Sequence, residues 1–276
     1  MNTVLIHYLK NQIAINDDWA RRLVYPLLIG GKRVRSMLLY VIGKMLNCPY
    51  PAIEELCCCL ELLHSYSLVH DDLPAMDNDC FRRGFPTAHK MFSEADAILI
   101  GDSLLTESFA LLSSSHHIPP LPKIALIQAL AKAAGAQELI MGQWLDISNG
   151  CADIESLISL HQKKTGALFG FALSAPAILL NNHLLIDKLK ILGLKLGLAF
   201  QIQDDLLDVQ YNPGLGKTAG KDLKLKKKTF FTLLGSELSQ NMLDDLYKEI
   251  YQEVNLSFNN SSLLISLIQQ LQERKF

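Results

Sequence analysis

Apolar residues recur at intervals of three and four along most of the chain, which is the pattern of amphipathic helices. The predicted helices cover residues 17–28, 34–46, 53–69, 98–112, 123–145, 154–179 and 184–209. No segment shows the strict alternation of apolar and polar positions that a half-buried strand requires. The sequence therefore predicts an all-α fold.

Glycine and proline separate these helices, but no break is long or polar enough to be an interdomain linker. There is also no repeat of fixed period. We therefore expect a single domain over residues 1–276. With 49% hydrophobic and 20% charged residues, such a chain can bury a large core.

The longest uncharged run, residues 165–186, reaches the length of a membrane span. Glycine, proline and asparagine interrupt this run, so we interpret it as a buried core helix and expect no membrane span. The formal net charge of −2 gives no overall basic field, and we expect no nucleic-acid partner.

Six cysteines are present without a Cys-x-x-Cys pair, and Cys57, Cys58 and Cys59 are adjacent. This spacing fits neither a disulfide framework nor a zinc site and indicates a reducing compartment. We interpret the three adjacent cysteines as buried small apolar residues. Because the first residues lack a basic leader followed by an apolar stretch, we expect a cytoplasmic protein.

Two aspartate clusters are the most informative polar feature. They are Asp71-Asp72-Leu73-Pro74-Ala75-Met76-Asp77 and Asp204-Asp205-Leu206-Leu207-Asp208. Each follows a helical run, so two helix ends could point carboxylates at each other across a cavity. Carboxylates suit Mg²⁺, which shares its remaining coordination positions with water and phosphate oxygens. The clusters therefore predict a diphosphate ligand, although the first cluster alone could also be a solvated turn.

Helical geometry groups further side chains with the clusters. His64 and Ser67 share the face of Asp71 within about 40° on a helix that ends near Pro74. One stripe of another helix consists of Gln201, Asp204, Asp205 and Asp208. Like charges four residues apart on an apolar helix cost stability unless a cation meets them, which favours a metal site.

Basic residues occur where an anion would bind. The segment Gly30-Gly31-Lys32-Arg33-Val34-Arg35 precedes a predicted helix, whose N–H groups and dipole favour anions. Arg82-Arg83-Gly84 follows the first cluster, and Lys163-Lys164-Thr165 is expected to open another helix. Each segment alone is a weak signal, because exposed basic residues are usually solvated. Their alternation with the aspartates indicates two diphosphates, one bridged by metal and one held by arginine and lysine.

These motifs, in this order, resemble those of trans-polyprenyl diphosphate synthases of the bacterial farnesyl diphosphate synthase type. The resemblance spans about residues 27–235 and includes Leu62-Leu63-His64-Ser65-Tyr66-Ser67, Gly101-Asp102, Gly142-Gln143-x-x-Asp146 and Leu215-Gly216-Lys217. It implies a dimeric barrel of antiparallel helices around a deep apolar cavity, with both aspartate clusters at its mouth. It also implies head-to-tail condensation of isopentenyl diphosphate with dimethylallyl and geranyl diphosphate to give farnesyl diphosphate.

The resemblance further implies a role for each matched residue. Mg²⁺ ions, three in this family, would be held on the allylic diphosphate by the catalytic aspartates Asp71, Asp72, Asp77, Asp204 and Asp208. The leaving diphosphate would be bound by the catalytic Lys164 and by Arg82, Thr165, Gln201 and Lys217, with Lys227 on a closing flap. Isopentenyl diphosphate would be bound by Lys32, Arg35, His64 and Arg83.

Product length is expected to depend on Tyr66. This aromatic residue, with two residues inserted in the first motif, resembles enzymes that stop at a fifteen-carbon product, where Tyr66 would block the pocket floor. The helical wheel puts Tyr66 about 140° from Asp71 and Ser67 more nearly beneath it, so a packing role for Tyr66 stays open.

The residues after Asp208 are rich in glycine and lysine, which predicts a mobile basic flap. Within it the chain departs from the family pattern Lys-Ser-Thr-Tyr-Pro, since it reads Lys227-Lys228-Thr229-Phe230-Phe231. The departure concerns the local turn rather than the chemistry.

Other functions remain open. A geranyl or geranylgeranyl diphosphate synthase would share these motifs. An isoprenoid cyclase shares the first aspartate motif but normally has a second site with Asn, Ser and Glu. A non-catalytic prenyltransferase subunit would lose aspartates or lysines that are intact here. A helical lipid-binding scaffold would not explain the three basic segments.

Overall fold

A computed structural model of the protein describes residues 17–148, 150–210 and 228–274. Its helices are α1 Asp17–Leu28, α2 Val34–Met45, α3 Tyr50–Asp71, α4 Ala88–Met91, α5 Glu94–Ser114, α6 Pro120–Ala134, α7 Leu139–Ile147, α8 Ile154–His161, α9 Ala167–Leu179, α10 His183–Gln210, α11 Phe230–Ser257 and α12 Ser262–Gln272. The all-α prediction is confirmed.

Two short strands, β1 Phe81–Arg82 and β2 Phe85–Pro86, pair antiparallel and were not predicted. Arg83 and Gly84 connect them with positive φ angles of 54° and 80°. Positive φ at both central residues is the geometry of a tight hairpin turn. A ladder of two residues is too short to produce the alternation that indicates a strand.

The described residues form two compact units, and each is described by itself. The first contains residues 17–37 and 49–119. In it α3 packs against α5, and α1 contacts both helices. Leucines at helical spacing, among them Leu56, Leu60 and Leu63, bury one face of α3 completely. The helix that ends in the first aspartate cluster is thus anchored in a core.

The second unit contains residues 38–48, 120–148, 150–210 and 228–274. All 13 residues of α9 are buried, and α9 packs against α6 and α10. A Cβ atom on Gly193 would lie 2.5 Å from the Gly170 Cα, and one on Gly197 would lie 2.5 Å from the Gly166 Cα. Only glycine permits this approach of α9 to α10, the helix that carries the second aspartate cluster.

The predicted helices lie where helices are observed, but two of them are interrupted in the structure. Predicted helix 123–145 is interrupted after Ala134, where a turn that begins at Gly135 separates α6 from α7. Predicted helix 154–179 contains a π-helical turn, Gln162–Gly166, between α8 and α9. Lys163, Lys164 and Thr165 therefore lie in this turn and do not open a helix. The expectation of a single domain over residues 1–276 stays a prediction.

Two helical segments of the described chain, Glu94–Ser114 and Pro120–Ile147, are long and apolar enough to cross a membrane. This is weak evidence for a span, because core helices of soluble proteins pass the same test of length and composition. The apolar run 165–186 is a buried helix over α9, as expected, and the turn after Leu179 interrupts it.

All six cysteines are free thiols. Cys57, Cys58 and Cys59 are buried in α3, as expected for small apolar residues. Burial raises the pKa of the Cys58 thiol to about 12. Cys58 therefore stays protonated at neutral pH and is a poor nucleophile.

Candidate active site

The first aspartate cluster begins at Asp71, the last residue of α3. The loop beyond it folds back on the helix end, because the Asp77 N–H donates to the Asp71 carbonyl at 2.9 Å and the Asp79 N–H donates to the Asp72 carbonyl at 3.2 Å. Asn78 has a positive φ of 50°, which asparagine tolerates in turns. The side chains of Asp71 and Asp77 are both half-buried. Two predicted metal ligands are thus brought to one helix end.

Asp72 and Arg82 bind each other. The Arg82 guanidinium donates to Asp72 Oδ2 from Nε at 2.9 Å and to Asp72 Oδ1 from Nη2 at 2.6 Å. The Asp72 side chain is only 5% exposed and that of Arg82 15%. Such a fork is strong and fixes the guanidinium plane. The predicted roles of Asp72 on metal and of Arg82 on diphosphate stay predictions. Each would require this pair to share its charge with a ligand.

Basic side chains lie around the start of α2. Arg35 Nη1 is 3.2 Å from Nε2 of His64 on α3. Arginine only donates, so Nε2 accepts and the imidazole is neutral. In agreement, burial and the nearby Arg35 guanidinium lower the pKa of His64 well below 6.5. Arg83 donates to the Gly30 carbonyl and so lies against the loop that carries the exposed Lys32.

A buried carboxylate fixes this loop. Glu61, which is 2% exposed, accepts a hydrogen bond from Arg33 Nη1 at 2.5 Å and another from the Ser36 hydroxyl. Arg33 has a left-handed φ of 49°, an unusual conformation for a residue with a long side chain. Glu61 therefore holds both the loop and the first turn of α2. Lys32 and Arg35 lie next to the backbone that this contact holds.

Tyr66 is buried in α3 and packs edge-on against the His70 ring, with 5.8 Å between centroids. His70 Nε2 lies 3.0 Å from the Ile98 carbonyl, and a Cβ atom on Gly101 would lie 2.0 Å from the same nitrogen. Helix α5 thus fixes His70, which supports Tyr66. Ser67 donates to a carbonyl of its own helix at 2.8 Å. The roles of Tyr66 and Ser67 in product length stay predictions.

In the second unit, the π-helical turn carries Lys164 and Thr165. Lys164 Nζ forms an ion pair with Asp146 Oδ2 of α7 at 2.6 Å. A Cβ atom on Gly142 would lie 2.3 Å from the Lys164 nitrogen, so α7 approaches the turn at its backbone. The Thr165 hydroxyl donates to Gln201 Oε1 of α10 at 3.4 Å. Lys164, Thr165 and Gln201, all predicted to bind the leaving diphosphate, are thus held in one unit.

The second aspartate cluster lies on α10, and its members differ in burial. Asp205 is buried, and its Oδ2 accepts from the Phe230 N–H at the start of α11 at 3.0 Å. Its Oδ1 accepts from the Gln201 amide at 3.1 Å. Asp204 and Asp208 remain partly exposed. Asp205 therefore helps to cap α11, whereas Asp204 and Asp208 can be reached from solvent.

The donor set of both clusters fits Mg²⁺. The accessible groups are carboxylates, the hard ligands that Mg²⁺ prefers. Among the described residues, no group of three or more Asp, Glu, His and Cys side chains is close enough together to hold a metal. Mg²⁺ is usually bound by one or two carboxylates with water and substrate phosphates, so it needs no such cage. The carboxylates suit a metal that arrives with a diphosphate.

Two predicted site residues, Lys217 and Lys227, lie outside the described residues, as does most of the predicted basic flap. In the segment that departs from the family pattern, Lys228 donates to the Cys151 carbonyl at 2.6 Å, and Thr229 caps α11. Phe231 lies in the first turn of that helix, where proline is also tolerated. The departure from the family pattern thus leaves the start of the helix intact.

Sequence reasoning missed the partners of several site residues. Glu61 has a weak signal, since it is an acid within the apolar run Leu60–Leu63, one turn before His64. Asp146 lies in a motif of the resemblance but was given no role. Arg274 follows α12 and forms an ion pair with Asp204 at 2.6 Å. No pattern in the sequence indicates this contact.

The fold and the site define an all-helical protein with accessible aspartates and fixed basic side chains suited to diphosphate. The family model described as polyprenyl synthetase matches residues 17–261. A Haemophilus influenzae protein named farnesyl diphosphate synthase is 42% identical over 236 residues, which are 83% of this chain and 80% of that protein. A Capsicum annuum chloroplastic geranylgeranyl pyrophosphate synthase is 39% identical over 83% of this chain and 64% of that protein.

Among solved structures, a Helicobacter pylori geranyltransferase complexed with magnesium and isoprenyl diphosphate is similar in fold. The TM-score is 0.83 at 30% sequence identity, over 98% of this chain and 93% of that one. The chain therefore belongs to the polyprenyl synthetase family.

The lowered pKa of His64 predicts a pH dependence of stability. Below pH 6.5 His64 is protonated in the unfolded chain but stays neutral in the folded protein. This residue therefore lowers the free energy of unfolding as the pH falls. Between pH 7.5 and 5.5 the loss is on the order of 1 kcal/mol for one such histidine. Urea unfolding of His64→Gln should show a loss smaller by that amount. Equal pH profiles for wild type and His64→Gln would contradict the assignment.

Proposed function

We propose that the protein is a prenyltransferase that condenses isopentenyl diphosphate head-to-tail with dimethylallyl and then geranyl diphosphate, in the presence of Mg²⁺, to give farnesyl diphosphate. The observation that carries the proposal is the combination, in a polyprenyl synthetase chain, of accessible aspartates with two basic side chains, Arg82 and Lys164, that internal acids hold in place. The similarity to a protein named farnesyl diphosphate synthase supports the product.

The aspartates Asp71 and Asp77 of the first unit and Asp204 and Asp208 of the second would hold Mg²⁺, which neutralises the charge that develops on a departing diphosphate. That both clusters act on one diphosphate stays a prediction from the sequence. Asp72 contributes indirectly in this proposal, because its carboxylate orients Arg82.

The leaving diphosphate is bound by Lys164, which the Asp146 carboxylate keeps in position, with Thr165 and Gln201 beside it. A lysine ammonium acts on phosphate as a compact point charge, so the position of Nζ matters more than its direction. The ion pair with Asp146 limits where Nζ can lie before the substrate binds. Binding then costs less side-chain entropy than it would for a solvated lysine.

Isopentenyl diphosphate is bound by Lys32, Arg35 and Arg83, with neutral His64 beside Arg35. Its double bond attacks the allylic carbon as the carbon–oxygen bond to diphosphate breaks. The new carbon–carbon bond leaves a cation, which loses one proton to the departed diphosphate. Binding both reactants in a fixed orientation lowers the entropic part of the reaction barrier. The reaction yields one longer allylic diphosphate, one free diphosphate and one proton.

A geranylgeranyl product is the second candidate, favoured by the similarity to the Capsicum annuum protein. The two products differ only in where elongation stops, so they share every residue named above except Tyr66 and Ser67.

We also propose a cytoplasmic location, because all six cysteines are free thiols.

Product analysis tests the chemistry. Purified protein with Mg²⁺, isopentenyl diphosphate and dimethylallyl diphosphate should yield farnesol after dephosphorylation, as resolved by chromatography. Asp208→Asn should lower the rate about a hundredfold or more, because metal stabilisation of the leaving group is worth several kcal/mol. Asp187→Asn removes an exposed carboxylate of the same helix, α10, and should leave the rate unchanged.

The absence of any alcohol longer than the primer would exclude this proposal and favour a cyclase or a non-catalytic subunit. Equal losses of activity in Asp208→Asn and Asp187→Asn would exclude a specific role for the second cluster.

Tyr66→Ala tests the control of product length. If the Tyr66 ring ends the pocket, its removal should shift the main product from fifteen carbons to twenty or more. Tyr66→Phe keeps the ring and should still give the fifteen-carbon product. The measurement is the chain length of the dephosphorylated products at equal turnover. An unchanged product from a folded Tyr66→Ala protein would assign Tyr66 to packing against His70 alone.

We further propose that two copies of the chain associate. Ile140, Trp144 and Ile147 form one exposed apolar stripe on α7, and Trp144 is 61% exposed. Such a stripe on a helix is typical of an interface. Light scattering should give a dimer mass for the wild type and a monomer mass for Trp144→Glu. Leu184→Glu, at a more exposed position on α10, should remain dimeric. A monomeric wild type would exclude this part of the proposal.

A further inference from the structure

Arg274 is a buried cation that meets the second aspartate cluster. Its side chain is 7% exposed, and its Nη2 lies 2.6 Å from Asp204 Oδ1. The same nitrogen donates to the Phe200 carbonyl at 2.7 Å, and the guanidinium carbon lies 3.5 Å from the centroid of the Phe200 ring. The plane of an arginine that stacks on an aromatic ring and binds two oxygens is fixed.

A network of polar side chains also binds the Nε end of the Arg274 guanidinium. Its Nε donates to Gln203 Oε1 at 3.3 Å, and the Tyr247 hydroxyl donates to the same oxygen at 3.2 Å. The Gln203 amide in turn donates to the Gln272 carbonyl at 2.7 Å, close to the end of α12. The position of the guanidinium is thus set by α10, α11 and α12 together. Arg274 is therefore a buried residue with a fixed side chain.

Asp204 lies between this cation and solvent. Its side chain is 43% exposed, whereas that of Arg274 is nearly buried, so Arg274 approaches the carboxylate from the protein side. A metal ion can then approach from the solvent side without displacing the arginine. Its positive charge would still stand close to a metal ion on the same carboxylate and repel it.

We propose that Arg274 is a positioning residue and a resident counter-ion for Asp204, which orients this carboxylate and weakens metal binding at the second aspartate cluster until a diphosphate arrives. The inference rests on the proposed prenyl transfer, in which Asp204 and Asp208 hold Mg²⁺. In the absence of substrate, the arginine supplies the positive charge that two aspartates one helical turn apart require. A diphosphate brings enough negative charge to outweigh the repulsion between Arg274 and the metal.

Mn²⁺ binding to the full chain without diphosphate tests this role, with free Mn²⁺ measured by electron paramagnetic resonance. Arg274→Gln and Arg274→Met both remove the charge, and methionine keeps an apolar stem over Phe200. Both should bind Mn²⁺ about fivefold more tightly than the wild type, the factor expected for one unit charge several ångströms away near water. Arg274→Lys keeps the charge and should stay within about twofold of the wild type.

The matched control is Lys195→Gln. Lys195 lies on the same helix as Asp204 and pairs with Glu249 and Glu253, so this variant removes one positive charge at a distance from the cluster. It should bind Mn²⁺ as the wild type does. With inorganic diphosphate present, the difference between Arg274→Gln and the wild type should shrink, because metal and diphosphate then bind together.

Neutral variants that bind Mn²⁺ no more tightly than Lys195→Gln would overturn the inference. If neither neutral variant folds, as judged by circular dichroism, the inference also fails, because Arg274 is then required for folding itself. Product formation by the wild type is measured on the same preparation. Normal product with unchanged Mn²⁺ binding in the variants refutes the role of Arg274 alone. A wild type that neither forms product nor binds Mn²⁺ refutes the proposed function as well.

Discussion

Charge pairing inside the protein is the constraint on which the candidate site depends. A diphosphate site needs several cations at close range, and such cations repel one another and lose hydration when they are brought together. In this protein internal carboxylates offset that cost within each unit: Glu61 holds Arg33 and Asp72 holds Arg82 in the first unit, and Asp146 holds Lys164 in the second. Pairs removed from water contribute little net stability, but the loss of one partner leaves a buried charge at high cost. What the pairs provide is a fixed position for each cation.

The backbone decides where these pairs can form. Helix α3 supplies two of the acids, Glu61 within its apolar length and Asp72 directly after its last residue. The bases come from a loop and a hairpin, where positive φ angles at Arg33 and Arg83 turn the chain sharply. In the second unit, the base comes from a π-helical turn. Irregular backbone thus presents the cations, and regular helix presents the acids that hold them.

This division explains how much could be predicted from the sequence. Helices follow from local periodicity, and seven helical regions up to residue 209 were predicted, although α11 and α12 were not. The aspartate clusters and basic segments are local too and were predictable at the level of residues. The π-helical turn was not predicted, and its close contact with Gly142 joins residues that are distant in sequence. The pairing of each base with its acid is equally non-local. Arg274 is the clearest case, since nothing near it in the sequence suggests Asp204 as its partner.

Internal pairing has opposite consequences for cations and for metal ligands. Arginine has five N–H donors in a planar fork, so Arg82 can bind Asp72 and still present donors to a phosphate. For Arg82, the internal acid therefore orients the side chain and leaves N–H donors for the substrate, although it also lowers the positive potential there. A carboxylate that binds metal is different, because a cation beside it reduces the negative potential that attracts the metal. The pair between Arg274 and Asp204 therefore disfavours metal alone, whereas the pair between Asp72 and Arg82 fixes N–H donors that a diphosphate can use. Together, the two kinds of pair favour a metal ion that binds with a diphosphate over a metal ion that binds alone.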